Sequence, residues 1–409
     1  MSSEDPSAVV PATEITAVDG VLPMELLIEI LLLLPAKEVC RVRAVCPSWR
    51  SLTYDPLFVA AYAARRRGPL LAVHSGNACI DLVDVSGDVV KRIRTNMESH
   101  ELKVLCARFR YVLIEGVESC ICVLDPVSGS ISDLPPCIGE DLTQLSGAGF
   151  PVWIAFGQVA STGEYKLVRI VEDSIFERVG EDPVCEVFTF REGTRNWGKK
   201  GNPAAYRGRN RQWRQREHPP ARLDPSCTNG VTVKGDAYFL FARWQLEEPY
   251  IDGYNIEADC IPSFNLETEQ WSVALQGPFS RILEESDGML SYSDLVDRLM
   301  LGELKDSLVI VHCNNQTSTA DLWFLMDFEN RVWSKQHIIQ MDIIPGELLV
   351  GVQPLLVLDE GGIILLVQTG TRDVLQFYNP GANNVTNLLD ITTSSSYVGV
   401  GIYTGSLLC

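Results

Sequence analysis

Residues 21–35 read VLPMELLIEILLLLP, and residues 36–64 continue AKEVCRVRAVCPSWRSLTYDPLFVAAYAA. A proline opens three of the apolar-periodic runs in this stretch, at Pro23, Pro47 and Pro56. The fixed φ of proline suits a first helical turn, where its missing N–H costs nothing. With a further proline closing the first run, this punctuation predicts four short helices within residues 20–64.

The first of these helices is too apolar to be covered by the other three. Leu27, Ile30, Leu31 and Leu34 share one face because they are spaced by three, four and seven positions, and Leu26 lies beside that face. The helix also ends in four consecutive leucines, so both of its sides need cover. About 45 residues in short helices bury little surface on their own. A second surface is therefore required, either from the rest of the chain or from another protein.

The order of the motifs across residues 20–62 resembles the F-box. It runs Leu-Pro, an apolar helix ending in Leu-Pro, Val-Cys-x-x-Trp-Arg, and Asp-Pro-x-Phe. The stretch departs from that family at Pro47, where a polar or basic residue is usual, and a proline fits there only if a helix starts at that point. In the family this module binds the adaptor Skp1 of a cullin-RING ubiquitin ligase.

The resemblance implies a Skp1-binding set made of two groups. The residues expected to supply the apolar contact are Leu22, Pro23, Leu26, Leu27, Ile30, Leu31, Leu34 and Pro35. The residues expected to form the supporting core and part of the contact are Val45, Cys46, Trp49 and Leu52.

From Leu70 onward, alternating apolar and polar residues replace the helical period, which is typical of β-strands. The predicted strand segments are Leu70–Val73, Ile80–Val85, Tyr111–Ile114, Ile121–Leu124, Tyr165–Ile170, Tyr238–Phe241, Leu308–Val311 and Ile363–Val367. We therefore predict an α+β multidomain protein with a short all-α module before a large all-β domain. Its parts are a disordered tail at 1–19, the helical module at 20–64, a hinge at 65–69 and the β domain at 70–409.

The β region carries a repeat in which a large apolar residue returns six positions after a polar one. The pairs are Asp125 and Ile131, Arg191 and Trp197, Asn265 and Trp271, Asp327 and Trp333, and Asn379 and Val385. Each pair predicts a β-hairpin in which an Asp or Asn side chain binds the backbone two residues on, and the large residue packs across the ladder.

The intervals between these markers run from 52 to 74 residues, which suits one propeller blade of about 50 residues each, with insertions. The repeat resembles the kelch-like F-box-associated domains of plant F-box proteins, and the resemblance implies a propeller of six or seven blades. The double glycines and the Tyr/Trp pairs of true kelch blades are missing, which leaves blade number and closure open. The repeat tryptophans Trp197, Trp271 and Trp333 are predicted to serve blade packing rather than to line a ligand site.

Residues 199–222 fall inside the longest interval and are predicted to form an extended, mobile insertion loop. They include Arg207, Arg209, Arg211, Trp213, Arg214 and Arg216. Three readings stay open: a solvated loop on an acidic domain, a loop that binds an acidic protein segment, or a loop that stacks on nucleic-acid bases. The net charge of -19 disfavours nucleic acid, because like charges repel.

Composition and motifs favour a protein without catalytic residues. We find no nucleotide-binding loop, no G-x-S-x-G, no H-E-x-x-H and no histidines at metal spacing, so no metal or cofactor is expected. His312 and Cys313 are predicted to pack in the core, and the acidic pairs at 247–248 and 284–285 to be solvated. The twelve scattered cysteines, without a C-x-x-C, suggest reduced and mostly buried thiols in the cytoplasm or nucleus. No apolar run reaches the roughly 18 residues of a membrane helix.

Taken with the two resemblances, these features predict a non-catalytic substrate-recognition subunit of a Skp1–cullin–F-box ubiquitin ligase. Its module would bind Skp1 and its propeller would recruit an unknown target protein. One alternative is an F-box and propeller protein that acts outside a ligase. The other is a ligand-binding propeller with no ligase role, which predicts polar residues clustered in the central channel.

Overall fold

The computed structural model describes residues 23–34, 36–65, 68–75, 78–95, 102–109, 111–115, 121–135, 152–171, 183–191, 212–224, 230–242, 259–286, 290–343, 347–391 and 400–404. The chain divides into two compact units, one reaching Arg67 and including the last four residues, the other spanning Gly68–Gly405. The tail predicted at 1–19 lies outside the described residues.

The first unit consists of four short helices, as predicted. They are α1 (Met24–Leu33), α2 (Ala36–Val42), α3 (Pro47–Tyr54) and α4 (Pro56–Arg65). Pro47 and Pro56 each occupy the first position of a helix, and Pro23 directly precedes one, so each proline stands where its missing N–H removes no helical hydrogen bond. No helix in the described part of the chain is both long and apolar enough to span a membrane.

The second unit contains six four-stranded antiparallel sheets. The strands of the first three blades, apart from the closing strand, are β1 (Leu70–His74), β2 (Cys79–Val83), β3 (Val89–Arg94), β4 (Lys103–Arg108), β5 (Tyr111–Glu115), β6 (Ile121–Asp125), β7 (Ser130–Asp133), β8 (Val152–Gln158), β9 (Tyr165–Val171), β10 (Val184–Phe190) and β11 (Arg214–Arg216). Seven of the eight predicted apolar segments overlap a strand over most of their length, whereas the segment Tyr238–Phe241 shares only Tyr238 with β13.

The last three blades and the closing strand complete the unit. Their strands are β12 (Val231–Val233), β13 (Asp236–Tyr238), β14 (Cys260–Asn265), β15 (Gln270–Gln276), β16 (Leu299–Leu304), β17 (Ser307–Asn314), β18 (Thr319–Asp327), β19 (Val332–Gln340), β20 (Leu349–Val357), β21 (Ile363–Thr369), β22 (Asp373–Asn379), β23 (Asn384–Ile391) and β24 (Val400–Tyr403). Between β15 and β16 the chain forms two short helices, α5 (Phe279–Glu285) and α6 (Tyr292–Val296).

The six sheets form a closed six-bladed propeller. The inner strands β24, β4, β8, β12, β16 and β20 contact one another in that order around a ring, and β20 returns to β24. The first blade takes β24 from the C-terminal end of the unit, where Ala72 pairs with Gly401 and Leu71 with Ile402. The structure therefore gives the blade number as six and shows that the ring is closed, two properties that the sequence repeat left open.

Closure depends on a very close approach between β24 and β4. A Cβ atom at Gly401 would lie 1.9 Å from the backbone nitrogen of Ala107 and 2.6 Å from its Cβ. Only glycine fits at this position, because the obstructing atoms belong to a backbone and a methyl group that cannot turn away. The ring is therefore sealed by a residue without a side chain.

The hairpin repeat is confirmed at the four Asp and Asn markers. Asp125, Asn265, Asp327 and Asn379 each accept a hydrogen bond from the backbone N–H two residues on, at 2.9 to 3.0 Å. Asp84 does the same in the first blade, where its Oδ1 accepts from the Ser86 N–H at 2.9 Å. Asp84 is the first blade's marker, and it was not among the five markers that the sequence predicted.

The two described repeat tryptophans, Trp271 and Trp333, link neighbouring blades. Trp271 donates its indole N–H to the Glu217 carbonyl at 2.9 Å, and Trp333 donates to the Gln276 carbonyl at 2.8 Å. In each case the acceptor lies at or just after the outer strand of the preceding blade. Trp213 makes the same contact in the third blade, with the Pro135 carbonyl at 2.8 Å.

The third blade corrects the predicted insertion loop. The strand that pairs with β10 is β11, in the register Val187 to Arg214, so residues 214–216 form an outer strand and not a mobile loop. Trp213, rather than Trp197, occupies the blade-linking position in the described structure. Trp197 itself lies outside the described residues, between the third and fourth strands of this blade.

The propeller core lies between adjacent sheets. In β17, Leu308 to Val311 are fully buried, because both faces of the sheet pack against neighbouring blades. Five of the eight described cysteines are buried.

Candidate functional site

The inner side of α1 forms the core of the helical unit. Leu27, Leu31 and Leu32 pack against apolar side chains of α2 and α4, and Leu31 is 1% exposed. The Tyr62 hydroxyl donates a hydrogen bond to the Leu34 carbonyl at 2.8 Å, where α1 has just ended. This carbonyl is one of the groups that a helix end leaves without an internal partner, so the bond fixes the end of α1 against α4.

The outer side of α1 is apolar and exposed. Leu26, Ile30 and Leu33 are 52%, 44% and 65% exposed, and their spacing of four and then three residues places them on one face. Met24 and Pro23 extend the exposed region at the start of the helix. We call Pro23, Met24, Leu26, Ile30 and Leu33 the outer face of α1. An apolar stripe of this kind on a soluble module is typical of a protein-binding surface.

The outer face differs from the contact set that the sequence predicted. Leu27 and Leu31, which the sequence placed among the contact residues, are buried in the core of the helical unit. Leu34 is half-buried, and Leu22 and Pro35 lie outside the described residues. The residues of the predicted set that are open to a partner on α1 are Pro23, Leu26 and Ile30.

Met24 and Leu33 were missed by the sequence reading. Leu33 is the most exposed of the α1 leucines. The signal was present in the spacing, since Leu33 lies seven positions after Leu26 and three after Ile30. In a helix that is apolar on every side, periodicity defines the faces but not which of them turns inward.

The second predicted group lies on α3 and in the turn before it. Trp49 and Leu52 are half-buried against the helical core. Cys46 caps α3, since its Sγ accepts from the Trp49 N–H at 3.5 Å. Val45 is exposed, in the turn between α2 and α3. The prediction that Pro47 starts a helix is confirmed.

The described arginines of residues 199–222 bind within the propeller rather than projecting as a loop. Arg214 Nη2 lies 2.6 Å from Glu269 Oε1, and Arg216 pairs with the other oxygen of the same carboxylate. The ammonium of Lys166 makes a third ion pair with Glu269, at 2.8 Å. Glu269 belongs to the β14–β15 turn, so this cluster joins the third and fourth blades.

Burial by itself would raise the pKa of the Glu269 carboxyl, but hydrogen bonds from Lys166 and Arg214 outweigh it and hold the pKa below its usual range. The carboxylate is thus ionised at neutral pH. Trp213, also proposed as a partner-binding residue, is 7% exposed. Arg207, Arg209 and Arg211 lie outside the described residues, so the hypothesis of a partner-binding loop now rests on them alone.

The described residues contain little that resembles a catalytic centre. Burial raises the pKa of the Cys313 thiol to about 12 and lowers the pKa of the neighbouring His312. A thiol in this state is protonated at neutral pH and is a poor nucleophile. In the described part of the chain, no three His, Cys, Asp or Glu residues are grouped so that they could hold a metal ion.

The central channel contains a cavity of about 430 Å³ lined by all six inner strands. Arg108, at the end of β4, reaches to β12 and β16: its Nη1 donates to the Thr232 carbonyl at 2.7 Å and its Nη2 to Glu303 Oε2 at 3.4 Å. Lys305 and Asp306 also line the cavity. A polar cluster is therefore present in the channel, the feature that a ligand-binding propeller requires.

Comparison with known proteins agrees with both units. A family model described as F-box-like matches residues 20–60, and one described as F-box associated beta propeller domain matches residues 151–409, more than half of the chain. An F-box protein of Arabidopsis thaliana is 23% identical, with 74% of this chain and 75% of that protein covered. The F-box/WD-40 repeat-containing protein 1 of the same plant is 22% identical, with 80% and 70% covered.

Among solved structures, TolB from Acinetobacter baumannii is 10% identical with a TM-score of 0.45, covering 83% of this chain and 67% of that one. The family model of the propeller starts at residue 151, whereas the structure begins the ring at Leu70, so the first two blades lie outside the matched residues. The four-helix module, the six-bladed ring and both family matches place this chain in the family of F-box proteins with an F-box associated beta propeller domain.

Proposed function

We propose that this protein is the substrate-recognition subunit of a Skp1–cullin–F-box ubiquitin ligase. In this role the helical module binds a Skp1-like adaptor, and the propeller binds a target protein. In the family, the F-box module is the part that binds the adaptor. The proposal assigns the same role to the helical module of this chain.

The observation that supports it best is the outer face of α1. Three large apolar side chains of one helix face are 44% to 65% exposed, while the opposite face of the same helix is buried. Burying each of them in an interface would contribute roughly 1.5–3 kcal/mol, which is enough for a stable complex after the costs of association. Glu25 and Glu29 flank this face and would favour a partner with basic residues at the rim.

The mechanism is tethering. A target bound to the propeller is held near a ubiquitin-loaded enzyme that the adaptor and cullin position, which raises the effective concentration of its lysines. No step of this mechanism needs a catalytic residue in this chain. Such a ligase subunit would act in the cytoplasm or nucleus.

The test is co-purification of the full chain with a Skp1 adaptor. We expect the wild type to bind, and Leu26→Ser/Leu33→Ser to bind at least about tenfold more weakly, because two apolar contacts are lost. The matched control is Leu348→Ser/Val350→Ser, which makes the same change at two exposed apolar residues of the propeller, 60% and 52% exposed. This control should bind like the wild type.

Two outcomes would count against the proposal. Absence of binding by the wild type would remove the adaptor role, and full binding by the α1 double variant would place the contact elsewhere. Co-purification of cullin distinguishes a role inside a ligase from a role outside one, because only a ligase subunit should bring cullin together with the adaptor. A circular dichroism spectrum of each variant checks that the helical module remains folded.

A further inference from the structure

The propeller channel offers a second, separate binding site. Its cavity of about 430 Å³ lies within the roughly 300–1,000 Å³ that is usual for ligand pockets. Half-buried apolar residues such as Phe109, Val231, Val357 and Ile402 form part of its wall. The polar groups are fewer and include Arg108, Glu303, Lys305 and Asp306. An apolar wall with a few convergent polar groups is the usual composition of a site for a small ligand.

Hydrogen-bond donors in this cavity exceed what the described residues use. The guanidinium of Arg108 has five N–H groups, and its bonds to described residues are one to the Thr232 carbonyl and a long one, 3.4 Å, to Glu303. The Glu303 carboxylate is also held by the Asp306 N–H, at 2.9 Å from Oε1. The Arg108 side chain is 30% exposed, so its remaining donors are accessible.

Lys305 supplies a second cation. It lies in the two-residue turn between β16 and β17, where Lys305 and Asp306 have φ of +50° and +59°. Non-glycine residues rarely adopt this conformation, and here the Glu303 carboxylate stabilises the turn by accepting the Asp306 N–H. Among the described residues the Lys305 ammonium has no hydrogen-bond or ion-pair partner, and the residue is exposed at the cavity.

We propose that the channel binds a monocarboxylate with an apolar body, its carboxylate on Arg108 and Lys305 and its body against the apolar wall. The shared chemistry is that of a small organic acid or of the C-terminal residue of a peptide. A planar guanidinium with free donors suits a carboxylate, because it can donate two parallel hydrogen bonds to it.

The charges around the cavity restrict the ligand further. Two basic and two acidic residues line this part of the channel, so its net charge is zero before binding. The chain as a whole has a net charge of -19. Either ligand would meet the same two cations and two carboxylates, but a dianion such as phosphate brings twice the negative charge into a neutral site on an acidic chain. The site therefore selects a single carboxylate over phosphate.

The experiment measures binding to the full chain by isothermal titration calorimetry with two pairs of probes. The first pair is 3-phenylpropionate and its amide, and the second is a pentapeptide ending in phenylalanine with a free or an amidated C-terminus. We expect the acid of at least one pair to bind about tenfold or more tighter than its amide, as the loss of a charged hydrogen bond implies. Which pair responds tells a free acid from a chain end.

Two variants locate the site. Arg108→Gln and Lys305→Gln should each weaken binding of the responding acid, while Lys234→Gln should not. Lys234 has the same backbone conformation, φ +50°, in the corresponding turn of the fourth blade, but its ammonium lies over the Phe328 ring, 4.4 Å from the centroid. If Arg108→Gln disturbed the folding of the ring, Lys305→Gln would still test the site, because a substitution on an exposed turn should leave the propeller folded.

Equal binding of acid and amide in both pairs, or no binding of either acid, would overturn the proposal. Unchanged binding by Arg108→Gln and Lys305→Gln would overturn it as well. The inference goes beyond the proposed function and does not depend on it, since the channel and the outer face of α1 belong to different compact units. If the adaptor experiment failed, the result for the channel would still hold. If the channel experiment failed, the result for the adaptor would still hold.

Discussion

Strand β17 and helix α1 are both strongly apolar, and they end in opposite environments. In β17 the run from Leu308 to Val311 is fully buried, whereas in α1 Leu26, Ile30 and Leu33 remain exposed. The difference follows from architecture. Each propeller sheet has a neighbouring blade on both faces, so an apolar run on it is covered twice. The helical unit has a single small core, so it covers one face of α1 and leaves the other exposed.

The largest expected effect on this contrast comes from a substitution that opens the propeller ring and destabilises the buried strands. Gly401→Ala would place a methyl group 1.9 Å from the Ala107 nitrogen, so β24 could not seal the first blade against β4. We expect a loss of roughly 4 kcal/mol or more in the stability of the propeller, the range of severe backbone conflicts. Differential scanning calorimetry would show it as a lower or missing propeller transition. Gly370→Ala is the control, because a Cβ there meets nothing within 4 Å.

The comparison is sharpened by two neighbouring leucines of α1. Leu31→Ala removes a side chain that is 1% exposed and should cost the helical unit about 3 kcal/mol, through lost burial and the cavity left behind. Leu33→Ala, at a residue 65% exposed, should cost less than about 0.5 kcal/mol. Hydrogen exchange of the α1 amides would measure both. If both substitutions accelerated exchange equally, this would contradict the conclusion that α1 has one buried and one exposed face.

The smallest of the three effects concerns the joint between the third and fourth blades. Glu269→Gln should destabilise the propeller by about 2 kcal/mol at pH 7, because three cations lose the carboxylate that pairs with them. The pKa of Glu269 is lowered in the folded state, so its contribution is complete above the unfolded carboxyl pKa of about 4.3 and is lost as pH falls through the folded value.

The advantage of the wild type over Glu269→Gln should therefore shrink towards zero in acid, which thermal unfolding at a series of pH values would follow. Glu267→Gln in the same turn is the control. Glu267 accepts a hydrogen bond from Ser161 at 2.7 Å in an exposed setting and should change stability little at any pH. A constant difference between wild type and Glu269→Gln across the pH range would contradict the assignment.

Much of the fold was predictable because its signals are local. An Asp or Asn that binds the backbone two residues on depends on its own turn, so the hairpins at Asp125, Asn265, Asp327 and Asn379 could be read directly. The third blade could not be read in this way. Counting six positions from Arg191 leads to Trp197, but an insertion separates the two strands of this hairpin and places Trp213 at the blade joint.

The arginines of the same segment were misread for a related reason. Arg214 and Arg216 have the composition of a solvated loop when their neighbours alone are considered. Their counter-charge, Glu269, lies more than fifty positions later in the chain. No local pattern connects them, so the ion pairs that join the two blades were out of reach before the sheets were assembled.

The sequence by itself determined the kinds of element and their order: four helices delimited by prolines, then hairpins whose turns are held by Asp and Asn side chains. Periodicity and turn chemistry suffice for this, because they act between residues a few positions apart. Only the tertiary structure decided the blade number, the seal at Gly401, the use of Arg214 and Arg216, and which side of α1 is open. Each of these depends on burial or charge shared between residues far apart in the chain, and such pairing exists only once the chain has folded.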